Sequence, residues 1–335
     1  MSQHFQHWYP TYASYFGSVV DGDCQFRYQA FIDPSSCQGD ECNYLAARTV
    51  DCIYGHTTQS ILADCAAAGI VLGLLPTILS FAGSSTLETG LLAMRRPFLA
   101  FLLSTTSPGS NPLRASQYQN AASLLEISKE GRLQVRVPAS YRTLMSLLEY
   151  LVALAAVANL ITVLYDLSIK SVCSVGTNTY FLPGTWALIS TLVHVLGALC
   201  LRLRMNPSLT HADNWRQRWF NQLREEMSLC ETHDECTIIC RKETVAFLCL
   251  QWFSSTLCIC NIVFGTAVLS SVLFIGTRDA IQIAARLLAS TLIARLVLVF
   301  ELAGMSNTIV AFEDRPSLAT VEEGPVVRMD GVKTM

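Results

Sequence analysis

Apolar residues gather in five long runs along this chain. By residue number the runs cover 61–82, 145–168, 184–203, 245–276 and 280–304. An α-helix rises about 1.5 Å per residue, so about 20 residues cross the roughly 30 Å hydrocarbon core of a bilayer. Each run reaches that length, and the first, ILADCAAAGIVLGLLPTILSFA, holds one charged residue. The pattern predicts an all-α, multi-pass α-helical membrane protein with about five transmembrane helices.

The overall composition agrees with this pattern, because polar surface is scarce. The chain of 335 residues is 51% hydrophobic and 15% charged, whereas a soluble domain carries roughly 25% charged residues. Its mean hydropathy is +0.38. The formal net charge of −3 indicates no basic field that would attract nucleic acid. The start of the chain, MSQHFQHWYP, has no basic segment followed by an apolar core, so no cleavable signal peptide is predicted.

Basic residues are divided unevenly among the segments outside the runs, and this predicts the orientation. Segment 83–144 contains seven Lys or Arg residues and segment 204–244 contains six, whereas segment 1–60 contains two. Loops rich in Lys and Arg remain on the cytosolic side of a membrane. We therefore expect segment 1–60 to be extracytoplasmic and both long loops to be cytosolic. The tail, residues 305–335, is expected to be cytosolic, polar and disordered.

The sequence LLAMRRPFLAFLL lies in the first predicted cytosolic loop and raises a separate question. It is too short to cross a bilayer, and arginine at the centre of a membrane costs about 2.5–3.5 kcal/mol. Pro97 suits the first turn of a helix. We therefore predict two short interfacial helices, over residues 85–94 and 97–103, lying on the inner surface of the membrane. Arg95 and Arg96 are expected to bind lipid phosphates or an acidic protein partner; the alternative is that they only anchor the helix ends.

The chain has 13 cysteines, and six of them fall on the predicted outer side. An extracytoplasmic segment too small for a large core is typically held by disulfides. The disulfide candidates are Cys24, Cys37, Cys42, Cys52, Cys65 and Cys173. Six cysteines allow 15 pairings, so the connectivity stays open.

A metal site is not predicted, and neither is a cofactor. Zinc binding at Cys37 and Cys42 lacks a Cys/His quartet with standard spacing. In the second cytosolic loop, CETHDECTIIC also resembles a ligand cluster. On one helix, however, Cys230 and Cys240 would lie about 15 Å apart, too far to share an ion.

Ionisable side chains inside the runs are the default candidates for function in a membrane. Glu149 and Asp166 lie on the second predicted span and His194 on the third. These three are weak candidates for acid–base catalysis. For His194 we expect a hydrogen bond to a neighbouring helix. The fifth span contains Arg286, Arg295 and Glu301, and Arg286 is expected to pair with Asp166 at similar depth.

One stretch carries a family resemblance. Residues 70–112 read IVLGLLPTILSFAGSSTLETGLLAMRRPFLAFLLSTTSPGSNP. They resemble a large group of uncharacterised multi-pass membrane proteins of filamentous fungi, which look alike in an LLGLxPTIL span, a GSSxxE turn, an LLxxRRPxLAxLL helix and a Ser-Pro turn. The matching positions are Gly73, Pro76, Thr77, Gly83, Ser84, Ser85, Glu88, Arg95, Arg96, Pro97, Ser107 and Pro108.

The resemblance covers about an eighth of the chain and implies a fungal protein of the plasma membrane or an endomembrane. It implies no substrate. The same residues have a direct physical interpretation. Ser85 and Glu88 have the spacing of a capping box at the start of a helix. Pro76 is expected to kink the first span.

The leading functional hypothesis is a non-enzymatic scaffold or sensor, with a cytosolic face that binds lipid or protein. It rests on the missing Walker, Rossmann, HExxH and GxSxG patterns and on the concentration of polar residues outside the runs. The alternative is a membrane-embedded enzyme that acts on a lipophilic metabolite in a fungal biosynthetic pathway. Transport, a third hypothesis, gains little support because five spans show no evident inverted repeat. The expected partners are the lipid bilayer and a protein at the cytosolic face, with no nucleic acid.

Overall fold

A computed structural model shows how the chain folds. It describes residues 4–33, 44–111, 138–177, 179–207, 226–230, 237–240, 243–305 and 309–312. The disulfide candidates Cys37 and Cys42 lie outside the described residues, as does most of the tail that is predicted to be disordered.

Within the described residues the chain forms ten α-helices and five short strands. The helices are α1 (Ala13–Asp21), α2 (Gln25–Ile32), α3 (Leu45–Gly55), α4 (Gln59–Ala82), α5 (Thr86–Ala93), α6 (Pro97–Thr106), α7 (Arg142–Lys170), α8 (Leu182–Arg204), α9 (Val245–Ser270) and α10 (Thr277–Gly304). The strands are β1 (Val172–Cys173), β2 (Met205–Pro207), β3 (Thr237–Cys240), β4 (Val272–Leu273) and β5 (Ile309–Phe312).

Five helices, α4 and α7 to α10, are long and apolar enough to cross a membrane. The protein therefore has the all-α, multi-pass architecture that the apolar runs predict, and each predicted span lies on one of these helices. The fourth predicted span, 245–276, extends too far. Helix α9 ends at Ser270, because the chain turns there, β4 pairs with β1, and Phe274 adopts a left-handed φ of 63°.

The outward surface of the spanning helices is apolar. Ile70 on α4 is 66% exposed, Val263 on α9 is 63% exposed and Leu296 on α10 is 70% exposed. The interior is apolar as well, with Leu72 and Leu160 at 0–1% exposure in one continuous cluster. Apolar side chains on both the inside and the outside of a helical bundle are typical of a protein surrounded by lipid.

Helices α5 and α6 form a helical hairpin close to its predicted position, but the hairpin is not a separate surface element. The capping box of Ser85 and Glu88 is present, and Pro97 is the first residue of α6. The hairpin nevertheless lies inside the bundle, packed between α7, α8 and α10. Leu87, Leu92 and Leu99 on these helices are each 0% exposed. The polar side chains Glu88 and Thr89 of α5 bind Arg295 and His194 within the bundle, so α5 turns no polar face towards headgroups.

Arg295 shows how the fifth span accommodates a charge. Its guanidinium donates to the carboxylate of Glu88 and to the main-chain oxygen of Gly83, at 3.2 Å from the latter. The Glu88 side chain also accepts from the main-chain N–H of Ser85, at 2.9 Å. The start of α5 is therefore fixed to the middle of α10.

At one end of the bundle, α1 to α3 pack over the turn between α9 and α10. Phe274 in that turn contacts Phe16 and Trp8, with ring centroids 5.2 and 5.5 Å away. The main-chain N–H of Thr11 donates to Asp279 at the start of α10, at 3.2 Å. The predicted extracytoplasmic segment is thus a small helical cap, joined to the bundle by an aromatic cluster.

The predicted disorder of the tail is wrong for residues 309–312. These residues form β5, which pairs in parallel with β3, and β3 pairs with β2 in antiparallel orientation. The sequence Ile-Val-Ala-Phe explains the strand, because β-branched and aromatic residues favour extended structure. The same sheet corrects the helical spacing assumed for residues 230–240, since residues 237–240 are a strand.

Candidate functional site

The three acid–base candidates do not meet in one site. Glu149 and Asp166 both lie on α7, and at about 1.5 Å per residue their 17 positions of separation correspond to about 25 Å. His194 lies on α8 and bonds to α5. Each candidate has its own partners among the described residues, so the three side chains cannot act together on one substrate.

Asp166 pairs with Arg286, as their similar depth along the predicted spans predicts. Its carboxylate lies 3.7 Å from the guanidinium of Arg286 and 2.7 Å from the ammonium of Lys170. Arg286 also donates to Asn159 Oδ1 at 2.9 Å and to Thr162 Oγ1 at 2.6 Å. These contacts join α7 to α10.

A cleft of about 260 Å³ opens between α5, α6 and α8. We call it the α5–α6–α8 cleft. Its wall includes Thr89, Phe101, His194, Leu199 and Arg202. Most of its lining is apolar, which is typical of sites that bind lipophilic molecules.

The mouth of the cleft is lined by exposed apolar side chains. Phe101 is 47% exposed, Val195 is 45% exposed and Leu199 is 48% exposed. All three lie on helices packed in the apolar bundle, and all three line the cleft. Arg202 lies eight residues beyond His194 on α8, about 12 Å further along the axis, and donates to the main-chain oxygen of Ala93 at 3.1 Å. The cleft therefore runs from a buried imidazole to an exposed cation near the end of α8.

The hydrogen bonds of His194 define the polar chemistry of the cleft. Its Nδ1 lies 3.0 Å from Thr89 Oγ1, which confirms the predicted bond to a neighbouring helix. The Thr89 hydroxyl lies 3.2 Å from the main-chain oxygens of both Ser85 and Thr86 and donates its single hydrogen there. We therefore assign the imidazole proton to Nδ1, with the Thr89 oxygen accepting from Nδ1–H. Nε2 is left as a buried acceptor with no hydrogen-bond partner among the described residues.

A second polar cluster, the Arg96 cluster, lies beside the cleft and corrects the prediction for Arg96. Arg96 is 0% exposed, so lipid phosphates and a separate acidic partner cannot reach its side chain. The prediction that it binds one of them is therefore wrong. Its guanidinium lies 2.6 Å from Glu149 Oε2 and 2.8 Å from Glu301 Oε1. It also donates to Ser146 Oγ at 2.8 Å. The acidic partners of Arg96 are thus supplied by α7 and α10 of the same chain.

The segment around residues 226–230 completes this cluster. Arg96 Nε donates to the main-chain oxygen of Glu226 at 3.0 Å. The Glu226 carboxylate accepts from the main-chain N–H of Phe98 at 2.7 Å and from the hydroxyl of Tyr150 at 2.5 Å. Arg95 is half-buried and donates to the main-chain oxygen of Cys230 at 3.3 Å. Both arginines of the RRP sequence therefore bind inside the protein.

Arg96 remains a cation despite its burial. Burial alone would lower the pKa of Arg96, but the carboxylates of Glu301 and Glu149 raise it above its usual value. A buried guanidinium is tolerated where such partners and further hydrogen bonds surround it.

One of the six disulfide candidates pairs with another. Cys24 and Cys52 form a disulfide that joins the start of α2 to α3. Cys65 and Cys173 are buried free thiols, so their prediction as disulfide partners is wrong. Their side chains pack in the apolar clusters beneath the cap, where a small thiol behaves as an apolar side chain.

A metal ion at the disulfide is not supported. Cys24, Cys52 and His56 lie with their ligand atoms within 4.8 Å of one another. The two sulfurs are bonded to each other, however, so neither is a thiolate. His56 Nδ1 is 2.9 Å from the main-chain oxygen of Cys52, and this bond occupies the nitrogen nearest the sulfurs.

The Cys173 thiol is expected to be unreactive at neutral pH. Burial raises the pKa of Cys173 to about 11, from a usual value of 9.0. Because the thiolate is the reactive form, its labelling by a maleimide should be roughly 100-fold slower than that of an ordinary thiol. Labelling of the folded protein, followed by peptide mapping, should show a rate that rises steeply with pH. Equal rates for Cys173 in folded and unfolded protein at neutral pH would contradict the burial.

Sequence reasoning missed three of the residues that build these sites, Thr89, Arg202 and Glu226. Thr89 had a visible signal, because it is a polar residue inside the apolar sequence TLETGLLA. Arg202 also had a signal, because it is the one charged residue in the third predicted span, 184–203. Glu226 had none, since it lies in a segment where charged residues are common.

Comparison of the chain with protein-family models, with curated proteins and with solved structures found no match.

Proposed function

We propose that the protein is a non-enzymatic integral membrane protein that binds a lipid alcohol in the α5–α6–α8 cleft. The observation that carries this proposal is an apolar cleft with exposed apolar residues at its mouth, whose wall contains a buried imidazole with a nitrogen, Nε2, that has no partner among the described residues. A lipid hydroxyl is the donor that His194 Nε2 lacks. The cleft lies on the side of the membrane that the charge pattern predicts to be cytosolic.

The size of the cleft limits what it encloses. Its volume of about 260 Å³ is below the roughly 300–1,000 Å³ of pockets that surround a drug-sized ligand. It therefore fits the hydroxyl-bearing part of one lipid and a length of its chain. The remainder of the lipid stays in the bilayer beyond Phe101 and Leu199.

The enzymatic alternative loses its basis in the three acid–base candidates. Glu149 is bound to Arg96, Asp166 is bound to Arg286, and His194 is bound to Thr89. A general base is normally oriented by a hydrogen bond from its other nitrogen to a carboxylate or main-chain oxygen. Thr89, a neutral hydroxyl, holds that position for His194.

The setting of the protein is part of the same proposal. The extracytoplasmic N-terminus, the cytosolic C-terminus and a plasma membrane or endomembrane location are supported by the distribution of Lys and Arg. Membership of the filamentous-fungal group is supported by the RRP-containing stretch at residues 70–112. The cytosolic face remains the proposed site for a protein partner.

The test uses a photoactivatable, alkyne-tagged diacylglycerol in phosphatidylcholine vesicles that contain the full chain. We expect crosslinks to concentrate on peptides from α6 and α8 and to be competed by untagged diacylglycerol. A probe with its hydroxyl acetylated should bind about tenfold more weakly, as should the His194→Leu variant with the intact probe, because one buried hydrogen bond is lost in each case.

Matched variants distinguish the cleft from the general lipid surface. Ala100→Phe fills the cleft, because Ala100 lines it and is 3% exposed. Ala67→Phe makes the same change on the exposed face of α4. Loss of crosslinking in Ala100→Phe alone supports the proposal. Crosslinks spread evenly over all five spanning helices, unchanged by Ala100→Phe, would refute it.

A further inference from the structure

The Arg96 cluster contains more negative than positive charge. One guanidinium contacts two carboxyl groups, Glu149 and Glu301, and the side chains of Arg96, Glu149 and Glu301 are 1%, 4% and 1% exposed. Ionisation of both carboxyl groups would leave one negative charge uncompensated in a space closed to water. Such a charge is strongly disfavoured in a protein interior.

Among the described residues, the other charged groups near the Arg96 cluster do not balance its extra negative charge. Arg95 adds one positive charge and the Glu226 carboxylate adds one negative charge, so these two cancel. The Glu226 carboxylate is moreover already satisfied by neutral donors, the hydroxyl of Tyr150 and the main-chain N–H of Phe98.

Within the part of the chain that the structure describes, the remaining neighbours of the cluster are neutral. The main-chain N–H of Cys230 donates to Glu301 Oε2 at 3.3 Å. Burial and the carboxylate of Glu301 raise the pKa of the Cys230 thiol well above its usual value, so the thiol carries no charge. Ser146 contributes a hydroxyl.

One more hydrogen, carried by Glu149 or Glu301, would allow these two carboxyl groups to form a hydrogen bond with each other. Glu149 Oε2 and Glu301 Oε1 lie 2.6 and 2.8 Å from the same nitrogen, Arg96 Nη1, so the two carboxyl groups are neighbours. Glu149 Oε1 is buried and accepts no hydrogen bond that satisfies normal geometry among the described residues. Two carboxylates repel and cannot bond, whereas a carboxylic acid and a carboxylate form a strong hydrogen bond.

We propose that Glu149 and Glu301 form a proton-binding site that retains one shared proton at neutral pH. With this proton the pair carries one negative charge, which Arg96 balances. The site goes beyond lipid binding, and it joins α7, α10 and the start of α6. Loss of the proton would place like charges together at this junction and loosen it. At pH values between the ordinary glutamate pKa of roughly 4.3 and the pKa of the folded pair, the folded protein holds a proton that the unfolded chain has released. Stability should therefore fall as the pH rises across this interval and level off once the folded pair has ionised.

Single and double substitutions of the pair test the site. In Glu149→Gln or Glu301→Gln, glutamine replaces a carboxyl group that shares a proton, and the remaining carboxylate pairs with Arg96. We expect both single variants to unfold at neutral pH at temperatures close to that of the unsubstituted chain. Neither should show the fall in unfolding temperature that the unsubstituted chain shows as the pH rises from about 4.3. The double variant leaves Arg96 without an anion, and its unfolding temperature should drop sharply.

An infrared measurement detects the proton itself. The spectrum of the original chain at neutral pH should contain the C=O band of a protonated carboxyl group, and this band should be missing in each single variant. Glu88→Gln is the matched control, because Glu88 pairs with one cation, Arg295. It should lower the unfolding temperature and leave the band unchanged.

Two outcomes would overturn the proposal. If no protonated carboxyl band is present and both single variants are strongly destabilised, both carboxyl groups are ionised. If the unfolding temperature follows sodium concentration at fixed pH and ionic strength, a metal cation rather than a proton balances the pair. Either result leaves the lipid proposal intact, because the crosslinking experiment does not involve Glu149 or Glu301.

Discussion

Replacing Arg96 by methionine is expected to lower the free energy of unfolding by roughly 3–5 kcal/mol, the usual cost of breaking a buried ion pair by removing one partner. The variant leaves Glu149 and Glu301 buried without a cation, and it removes the hydrogen bonds to Ser146 and to the main chain of Glu226. Chemical or thermal unfolding of the purified chain in detergent measures the loss. A protein this strongly destabilised is also expected to give little monodisperse material.

Arg95→Met is the matched control for this prediction. Arg95 is adjacent in sequence and carries the same charge, but it is half-buried and donates to Cys230 at 3.3 Å. A loss of about 0.5–1.5 kcal/mol, typical of one hydrogen bond, is expected. Equal stabilities of the two variants would show that Arg96 is not the buried centre of the cluster.

Gly265→Ala is expected to cost about 1–3 kcal/mol through overpacking between α8 and α9. A Cβ at this position would lie 2.7 Å from Cδ1 and 2.8 Å from Cε2 of Trp186. The indole of Trp186 is 0% exposed and has no space into which it can move. The change in unfolding temperature of the purified chain measures the effect.

Gly184→Ala provides the comparison, because Gly184 also lies in a helix and its added Cβ would meet nothing within 4 Å. Replacing glycine by alanine inside a helix usually stabilises it by roughly 0.5–1 kcal/mol. The two variants should therefore shift stability in opposite directions. A neutral Gly265→Ala variant would mean that α8 and α9 are not packed at Trp186 and Gly265.

The cleft and the Arg96 cluster share the start of α6. Pro97 lines the cleft, and Arg96 immediately precedes it. On the other side, the side chain of Arg202 holds the main-chain oxygen of Ala93 at the end of α5. The turn between α5 and α6 is thus fixed by contacts on both sides, which keeps one wall of the cleft in place.

Local signals account for what the sequence predicted well. The apolar runs locate α4 and α7 to α10 because a spanning helix must satisfy its own main-chain hydrogen bonds and cover itself with apolar side chains. The capping box of Ser85 and Glu88 and the position of Pro97 depend on residues within one helical turn. Such features are specified by neighbouring residues and need no knowledge of the rest of the fold.

The errors concern partners that come from distant parts of the chain. Arg96 was expected to meet lipid, and its partners Glu149, Glu226 and Glu301 come from three separate segments. Cys65 was expected to form a disulfide, and it packs among apolar residues instead. The burial of α5 had a signal in the sequence, since its polar residues do not form one continuous face.

Glycosylation mapping tests most directly that the five helices cross a membrane with the N-terminal cap outside. The substitutions Asp21→Asn and Asp23→Thr make an Asn-x-Thr sequon on the exposed surface of the cap, and Ala122→Thr makes one that begins at Asn120 in the predicted cytosolic loop. The original sequence has no usable sequon, since Asn206 is followed by proline. The account predicts that the cap variant gains a glycan removable by endoglycosidase and that Ala122→Thr does not. A glycan on the Ala122→Thr variant, with none on the cap variant, would contradict it.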